Sequence, residues 1–460
     1  MPADSVHSSD RATTAVTTLA IASLFFFALL RLYAITQPVA KAWDDSNYRD
    51  WVMNDLPKTT LLGAAKGVLL PNSNIIAFRS IGYHSWLVLT AKVFVAWPPE
   101  VAWQIANAIL LLFQAVAVCY LAVWATGDWP FSLSFTFLYL SAPIVFGINR
   151  WVLTENHYMA AMLVMSAGAA AIVSDTVSPA ECDWRRWLWR EIVKVALITC
   201  VLGILITLRE PAIPYAMMIY ACVGLGLLRE RRWAACAVFM AVILPYFSAF
   251  TQTLLFLAAR VRHKLAEDQY FHSLSEWIPR AFTYAAGPAL SLFLLVATPA
   301  VLILIALAAW SFAESEERGN LLRALQTNVR GIHILLAGHA ALFAAYCVSF
   351  VFSQNRVIRP AILHTITAVC VTLIGFQVFR KPLWPGWRRA RLTMIPLMLL
   401  SWCVLLYQLL FAFDGGRTYV VYPDDMEYYN YPLGIRTLHG PYDSHTTTTL
   451  RYKSSESKWR

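Results

Sequence analysis

The stretch Ile81-Gly82-Tyr83-His84-Ser85-Trp86-Leu87-Val88-Leu89-Thr90-Ala91-Lys92-Val93-Phe94-Val95-Ala96-Trp97 decides how this chain is threaded. It is apolar enough to enter a membrane, yet it is short and carries His84 and Lys92, whereas a spanning helix needs about 20 predominantly apolar residues. Counted as a span, it puts the most basic loops outside and the N-terminus inside. Counted as a helix lying in the interface, it puts the N-terminus and all of those loops on the cytoplasmic side, as the positive-inside rule asks. The loops in question carry Arg185, Arg186 and Arg190; Arg229, Arg231 and Arg232; and Arg380, Lys381, Arg388, Arg389 and Arg391. The interfacial reading is the expected one.

Outward from that stretch, apolar runs long enough to cross lie near 15–36, 101–126, 129–148, 157–174, 193–208, 211–228, 234–258, 288–313, 332–353, 361–379 and 394–413. The expected fold is therefore an all-α polytopic membrane protein, with about 11 transmembrane helices plus interfacial helices in the first external loop. One transmembrane domain is expected over 1–413, its first external loop over about 38–99, followed by an external, partly flexible tail over 414–460. The first run is too long for a signal-peptide core and lacks a clear cleavage site, so it is expected to remain as a membrane helix.

Composition supports this. Of 460 residues, 58% are apolar and 14% charged, against roughly 45–50% and 25% in soluble domains. Those values exclude an ordinary cytosolic enzyme, a disordered regulator and a disulfide scaffold. The net charge of +10 is dispersed into short clusters beside apolar runs, where the charge rule puts Lys and Arg, so nucleic acid is not an expected partner. Cys119, Cys200, Cys222, Cys236, Cys347, Cys370 and Cys403 lie within apolar runs and no Cys-x-x-Cys occurs, so neither a disulfide framework nor a zinc site is indicated.

The polar residues with chemical potential cluster at predicted external helix ends. Trp43-Asp44-Asp45-Ser46-Asn47-Tyr48-Arg49-Asp50 follows the first helix. Adjacent carboxylates repel unless solvated, paired or neutralised, although Asp45 or Ser46 would serve equally as the N-cap of a short interfacial helix. The second external turn is Asn149-Arg150-Trp151-Val152-Leu153-Thr154-Glu155-Asn156-His157-Tyr158. There Glu155 stands in the first turn of a helix, where the macrodipole alone favours a carboxylate, and Arg150 and Glu155 would also suit an interfacial ion pair.

Arg209-Glu210-Pro211 interrupts a nearly continuous apolar stretch, either as a snorkelling Arg paired with Glu210 or as an anion site. Asn355-Arg356-Val357-Ile358-Arg359-Pro360 stands before a helix start, and its guanidinium forks suit phosphate or lipid headgroups. No HExxH, GxSxG or phosphate-binding Gly loop occurs, which leaves zinc hydrolase, serine hydrolase and P-loop ATPase readings without support.

These segments together resemble the integral-membrane glycosyltransferases of the GT-C superfamily, which includes protein O-mannosyltransferases and lipid A aminoarabinose transferases. The resemblance rests on Asp45-x-x-Tyr48 after the first helix, Asn149-Arg150-x-x-x-Thr154-Glu155 at the next external turn, Leu208-Arg209-Glu210-Pro211, and the late turn Asn355 to Pro360. It covers residues 15–230 well and the remainder in pattern. The family often has Asp-Glu where this chain has Asp44-Asp45, and usually Asp where it has Glu155, which leaves the subfamily open.

The resemblance implies transfer of a sugar from a polyprenyl-phosphate donor, such as a dolichyl phosphate, to a protein, lipid or glycan acceptor outside the membrane. On that reading Asp45 is the general base with Asp44 as its understudy, and Glu155 orients a substrate. Arg209, Arg356 and Arg359 hold the donor phosphate, while Tyr48, Arg150 and His157 bind substrate. Mg²⁺ or Mn²⁺ would suit the carboxylate oxygens, but no obligatory metal or other cofactor is expected. A carboxylate acting as base and not as nucleophile implies inversion at the anomeric carbon.

The expected location is the bacterial plasma (inner) membrane, with the N-terminus cytoplasmic, the tail external and membrane lipids as constant partners. The alternative is a multi-pass transporter or lipid-linked sugar flippase. It is weakened by the absence of an internal repeat and by acids placed at helix ends, away from the bilayer midplane.

Overall fold

The computed structural model describes residues 4–35, 49–50, 52–69, 81–142, 145–146, 149, 154–174, 183–205, 212–246, 331–352, 360–379 and 385–412. Among them all regular structure is helical. The helices are α1 (Asp4–Ile35), α2 (Leu61–Leu69), α3 (Ile81–Val93), α4 (Pro99–Thr126), α5 (Trp129–Leu140), α6 (Thr154–Val173), α7 (Trp184–Leu188), α8 (Lys194–Leu205) and α9 (Ala212–Arg229). They continue as α10 (Trp233–Tyr246), α11 (Gly331–Phe352), α12 (Pro360–Phe379) and α13 (Pro385–Ala412). A π-helical turn, Trp189–Val193, joins α7 to α8.

The deciding stretch forms α3, only 13 residues long. At 1.5 Å per residue it reaches about 20 Å, short of the roughly 30 Å hydrocarbon core. It packs instead against α2 and the flank of α4. Three described helical stretches, Thr13–Ile35, Pro99–Thr126 and Asn156–Val173, are long and apolar enough to cross a membrane, and α9 to α13 contain shorter apolar stretches. The expected run 288–313 lies outside the described residues.

The run 129–148 differs from expectation: α5 ends at Leu140. Pro143 has no N–H with which to continue a helix. The turn into α5 is set locally. Gly127 takes the left-handed conformation (φ 67°) that ends α4, and Asp128 caps α5 by accepting from the Phe131 N–H at 3.0 Å.

The centre of the bundle is α6. Its apolar window is 89% buried, against 28% for that of α1 and 44% for that of α4, and it packs against α4, α8, α9, α11 and α12. Hydrocarbon gives apolar side chains little reward for leaving it, so helices associate in a membrane through close packing and hydrogen bonds. The sequence of α6 provides both. Ala160, Ala161, Ala167, Gly168, Ala169, Ala170 and Ala171 allow close approach, and Ser166 supplies a hydroxyl.

That hydroxyl meets Tyr215 of α9 and lies 3.2 Å from Nε2 of His339 on α11; Tyr215 Oη lies 2.9 Å from the same nitrogen. His339 Nδ1 donates to the Leu335 carbonyl at 2.8 Å and Ser166 donates to the Met162 carbonyl at 2.7 Å. With Nδ1 donating, Nε2 of the neutral ring is the acceptor, facing a Tyr215 hydroxyl that also lies 3.2 Å from the Met162 carbonyl. Elsewhere the surface is apolar, as Phe25, Phe26, Leu29 and Leu32 of α1 and Leu112, Phe113 and Val116 of α4 show. A lipid-facing helix looks like this.

The end of the bundle where α6 finishes is fastened by charge. Arg232 Nε bonds both Glu191 carboxylate oxygens, at 2.8 and 3.1 Å, and its Nη1 caps the Ile172 carbonyl. Lys194 Nζ donates to the Ala171 carbonyl at 2.9 Å. Cations on the last carbonyls of a helix complement its dipole. Glu230 does the converse for α11, accepting from the Gly331 N–H at 3.0 Å.

Candidate active site

Polar groups gather at the other end, where α6 begins. Arg31 stands near the C-terminus of α1, 4% exposed, and its Nη2 donates to the Asn149 carbonyl. Asn149 is itself fully buried and donates Nδ2 to the Val145 carbonyl at 2.8 Å. Removing a guanidinium from water costs several kcal/mol, which makes an Arg buried at this position in a membrane bundle a candidate functional residue. A second buried cation, Arg49, holds its guanidinium carbon 5.9 Å from the ring centroid of Trp103, which is wholly enclosed.

A line of polar contacts crosses from α4 to α12. Gln114 Nε2 donates to the Asn156 carbonyl at 3.3 Å, and its Oε1 accepts from the Tyr139 hydroxyl at 3.2 Å. Tyr139 has one proton to give, so Thr365, at 3.0 Å, must be the donor in that contact. The His364 ring stacks on Tyr139 with centroids 5.1 Å apart.

Beside this line, α3 contributes Tyr83, which bonds Asn107 Oδ1 at 3.2 Å and packs its ring 5.8 Å from that of His157. Val52, Ala64, Tyr83, Leu87, Trp103 and Ala160 form one apolar cluster, which seats α2 and α3 against α4 and the first turns of α6. His84 of α3 meets Asp55 at 2.8 Å. His157 Nδ1 and Trp103 Nε1 are buried with no hydrogen-bond partner among the described residues. Polar side chains and aromatic rings are thus packed together at the start of α6.

Asp44, Asp45, Tyr48, Arg150, Arg209, Arg356 and Arg359 lie outside the described residues. Glu155 is in the first turn of α6, as expected from sequence, and His157 follows it, largely buried against Tyr83. The chain leaves α1 towards Asp44 and Asp45, enters α6 past Arg150, and enters α12 past Arg356 and Arg359. The described ends of these helices are joined: α1 to the approach of α6 through Arg31 and Asn149, and α5 to the start of α12 through Tyr139 and Thr365. Among the described residues no group of three or more His, Cys, Asp or Glu could hold a metal ion.

The sequence reading passed over Arg31, Arg49, Gln114, Tyr139 and Thr365. A solitary Arg inside the last turns of an apolar run was the signal for Arg31, and Arg49 stood in the polar stretch Trp43 to Asp50 without an assigned role.

No protein-family model and no curated protein matches the sequence. Two solved structures are similar to it. One is the crystal structure of ArnT from Cupriavidus metallidurans bound to undecaprenyl phosphate, at 14% identity and a TM-score of 0.46 over 85% of this chain and 65% of that one. The other is ArnT from the same organism in the apo state, at 15% identity and a TM-score of 0.47 over 86% of this chain and 66% of that one. This chain spans just under two thirds of the length of those ArnT chains.

Proposed function

We propose that this chain is an integral-membrane glycosyltransferase that moves a sugar from a polyprenyl-phosphate donor to a protein, lipid or glycan acceptor on the extracytoplasmic face. The observation that carries the reading is the buried Arg31 fastened to Asn149, at the bundle end from which the chain runs on to Asp44 and Asp45 and at which α6 begins with Glu155. An enzyme of this kind needs a fixed positive field for a departing phosphate and a carboxylate for the incoming hydroxyl.

In the proposed reaction the acceptor O–H gives its proton to the carboxylate of Asp45, with Asp44 as understudy. The acceptor oxygen forms its bond to the anomeric carbon from the face opposite the phosphate. The carbon–oxygen bond to the phosphate breaks and the phosphate keeps the electron pair. Attack by the acceptor itself inverts the anomeric centre. Arg209, Arg356 and Arg359 receive the phosphate charge, for which a guanidinium fork is suited; Glu155, Tyr48, Arg150 and His157 position substrate. No obligatory metal takes part, with Mg²⁺ or Mn²⁺ as the ions the carboxylates would admit. The membrane is the bacterial plasma membrane, with the N-terminus cytoplasmic and the tail outside.

The test is transfer of radiolabelled sugar from a polyprenyl-phosphate donor pool into protein, lipid and glycan fractions, in membranes holding wild type or Asp45→Asn at matched expression. The expected result is transfer into one fraction, lost in the variant; a positioned general base contributes about 10²–10⁴-fold. Equal transfer in both would remove Asp45 as the base. No transfer by either, with intact protein and a broad donor pool, would favour a transporter or flippase.

A further inference from the structure

At the end of the bundle opposite the candidate active site, Asp183-Trp184-Arg185-Arg186-Trp187-Leu188-Trp189 is exposed along its whole length. Trp184 is 65% exposed and Trp189 56%. Such a segment suits neither bulk water, which rejects the indoles, nor hydrocarbon, which rejects the guanidinia. The headgroup layer accepts both, and there tryptophan rings and arginines concentrate.

The segment has a neighbour of the same chemistry. The Glu191–Arg232 pair, with Arg232 Nη2 at 2.8 Å from Glu191 Oε1, fastens the π-helical turn after α7 to the turn between α9 and α10. That second turn presents Arg231, exposed, and Trp233, 65% exposed. Arg232, Lys194, Glu191 and Glu230 are engaged in holding helices together, on Glu191, Ala171, Arg232 and Gly331 respectively. Arg185, whose guanidinium carbon lies 5.7 Å from the Trp184 ring centroid, Arg186 and Arg231 face outward.

Arg231 has a second distinguishing property. Its φ is 57°, the only positive value at a non-glycine residue among those described. Glycine adopts that conformation without steric penalty, whereas a residue with a Cβ does not. There Arg231 closes α9 as a left-handed cap, its N–H donating to the Leu228 carbonyl at 3.1 Å and the Arg232 N–H to the Leu227 carbonyl at 2.9 Å, and the exposed Arg231 side chain stands at that turn.

We propose that this surface is a binding site for the headgroup of an anionic phospholipid, with the phosphodiester held by Arg185, Arg186 and Arg231 and the glycerol and upper acyl region resting on Trp184, Trp189 and Trp233. The site is independent of the transferase reading. It would anchor the bundle at a fixed depth and orientation in an anionic leaflet.

The test uses the purified full-length protein in detergent, titrated in separate arms with phosphatidylglycerol, phosphatidylcholine and inorganic phosphate, and read by native mass spectrometry for retained lipid. Phosphatidylglycerol should be retained in preference to phosphatidylcholine. Each arginine removed should weaken retention about fivefold, so Arg185→Gln/Arg186→Gln/Arg231→Gly together should lose roughly a hundredfold. Lys66→Gln, at the other end, should have no effect. Arg231→Gly alone separates lipid binding from folding: it relieves the backbone, so its melting temperature should stay level or rise while retention falls. Equal retention of the two lipids by wild type, wild-type retention by the triple variant, or inorganic phosphate displacing the lipid at equal concentration would each overturn the proposal.

Discussion

Arg31 and Asn149 stand 118 residues apart in sequence, and the guanidinium of the first donates to the backbone carbonyl of the second. The contact ties the exit of α1 to the approach of α6, and from these two places the chain runs to the acidic pair Asp44-Asp45 and to Glu155. Arg31→Ala should leave the Asn149 carbonyl buried without its donor, a loss of about 1–3 kcal/mol readable as a lowered melting temperature in detergent. Sugar transfer from a polyprenyl-phosphate donor should fall more than stability does, by roughly tenfold or more at a temperature where the variant is folded. Arg31→Lys, which keeps charge but not the fork, should fall between the two. A variant that melts lower yet transfers like wild type would reduce Arg31 to a brace.

The pair Glu191–Arg232 is partly buried, with side-chain exposures of 13% and 10%, and Arg232 also caps Ile172. Breaking one partner of such a pair leaves an uncompensated charge, which costs about 3–5 kcal/mol when burial is complete. Both Glu191→Gln and Arg232→Met should therefore melt clearly below wild type. Arg232→Met should be the worse, because it also uncaps α6. The double variant should lose less than the sum, as a double-mutant cycle on melting in urea or by heat would measure.

Much of this architecture is legible from sequence because membrane helices must satisfy their backbone internally and wear their hydrophobicity outside. The run 101–126 is bounded by Pro99 and Gly127, and its helix ends there. The runs after Pro211 and Pro360 begin as helices at Ala212 and Pro360. The shortness of α3, seen in the presence of His84 and Lys92, was the deciding reading, and the helix stops at Val93. The helices α1 and α13 extend beyond their apolar runs, to Asp4 and Pro385. Hydropathy registers the membrane, not the helix, and no Gly or Pro interrupts residues 4–35.

The site was less legible, for a physical reason. Its described contacts are long-range pairings of ordinary residues: Tyr139 with Thr365 across 226 positions, His84 with Asp55 across 29, Gln114 with Asn156 across 42. No local spacing encodes them. Arg31 reads in sequence as a boundary cation free to snorkel, and only packing reveals that it is turned inward. The acidic pair was visible because adjacent carboxylates are unusual wherever they occur.

Tyr139 sits between Gln114 and Thr365 at the heart of that polar line. Tyr139→Phe keeps the ring stacked on His364 but strips the hydroxyl, leaving Gln114 Oε1 buried without its donor. A loss of about 1–3 kcal/mol is expected. Adding Thr365→Val to the same chain removes nothing further from that contact, so any added loss measures what Thr365 contributes through its other interactions. Thermal melts of the two variants side by side decide it; a full additive loss would mean that Thr365 is held chiefly by other partners.

Two glycines on one helix make a controlled comparison of packing. On α9, a Cβ built at Gly226 would lie 3.1 Å from the Cα of Gly331 on α11, whereas one built at Gly224 meets nothing within 4 Å. Backbone facing backbone cannot turn aside as a side chain can, so Gly226→Ala must push the two helices apart. That also disturbs the Glu230 carboxylate capping the α11 N-terminus at Gly331. A loss of about 1–3 kcal/mol is expected, as for overpacking in a soluble core. Gly224→Ala adds a methyl into open space and removes backbone freedom from the unfolded chain, so it should be neutral or stabilise by up to about 1 kcal/mol. The order of melting temperatures should be Gly224→Ala at or above wild type and Gly226→Ala below both; the reverse order would mean that α9 and α11 do not cross at Gly226 and Gly331.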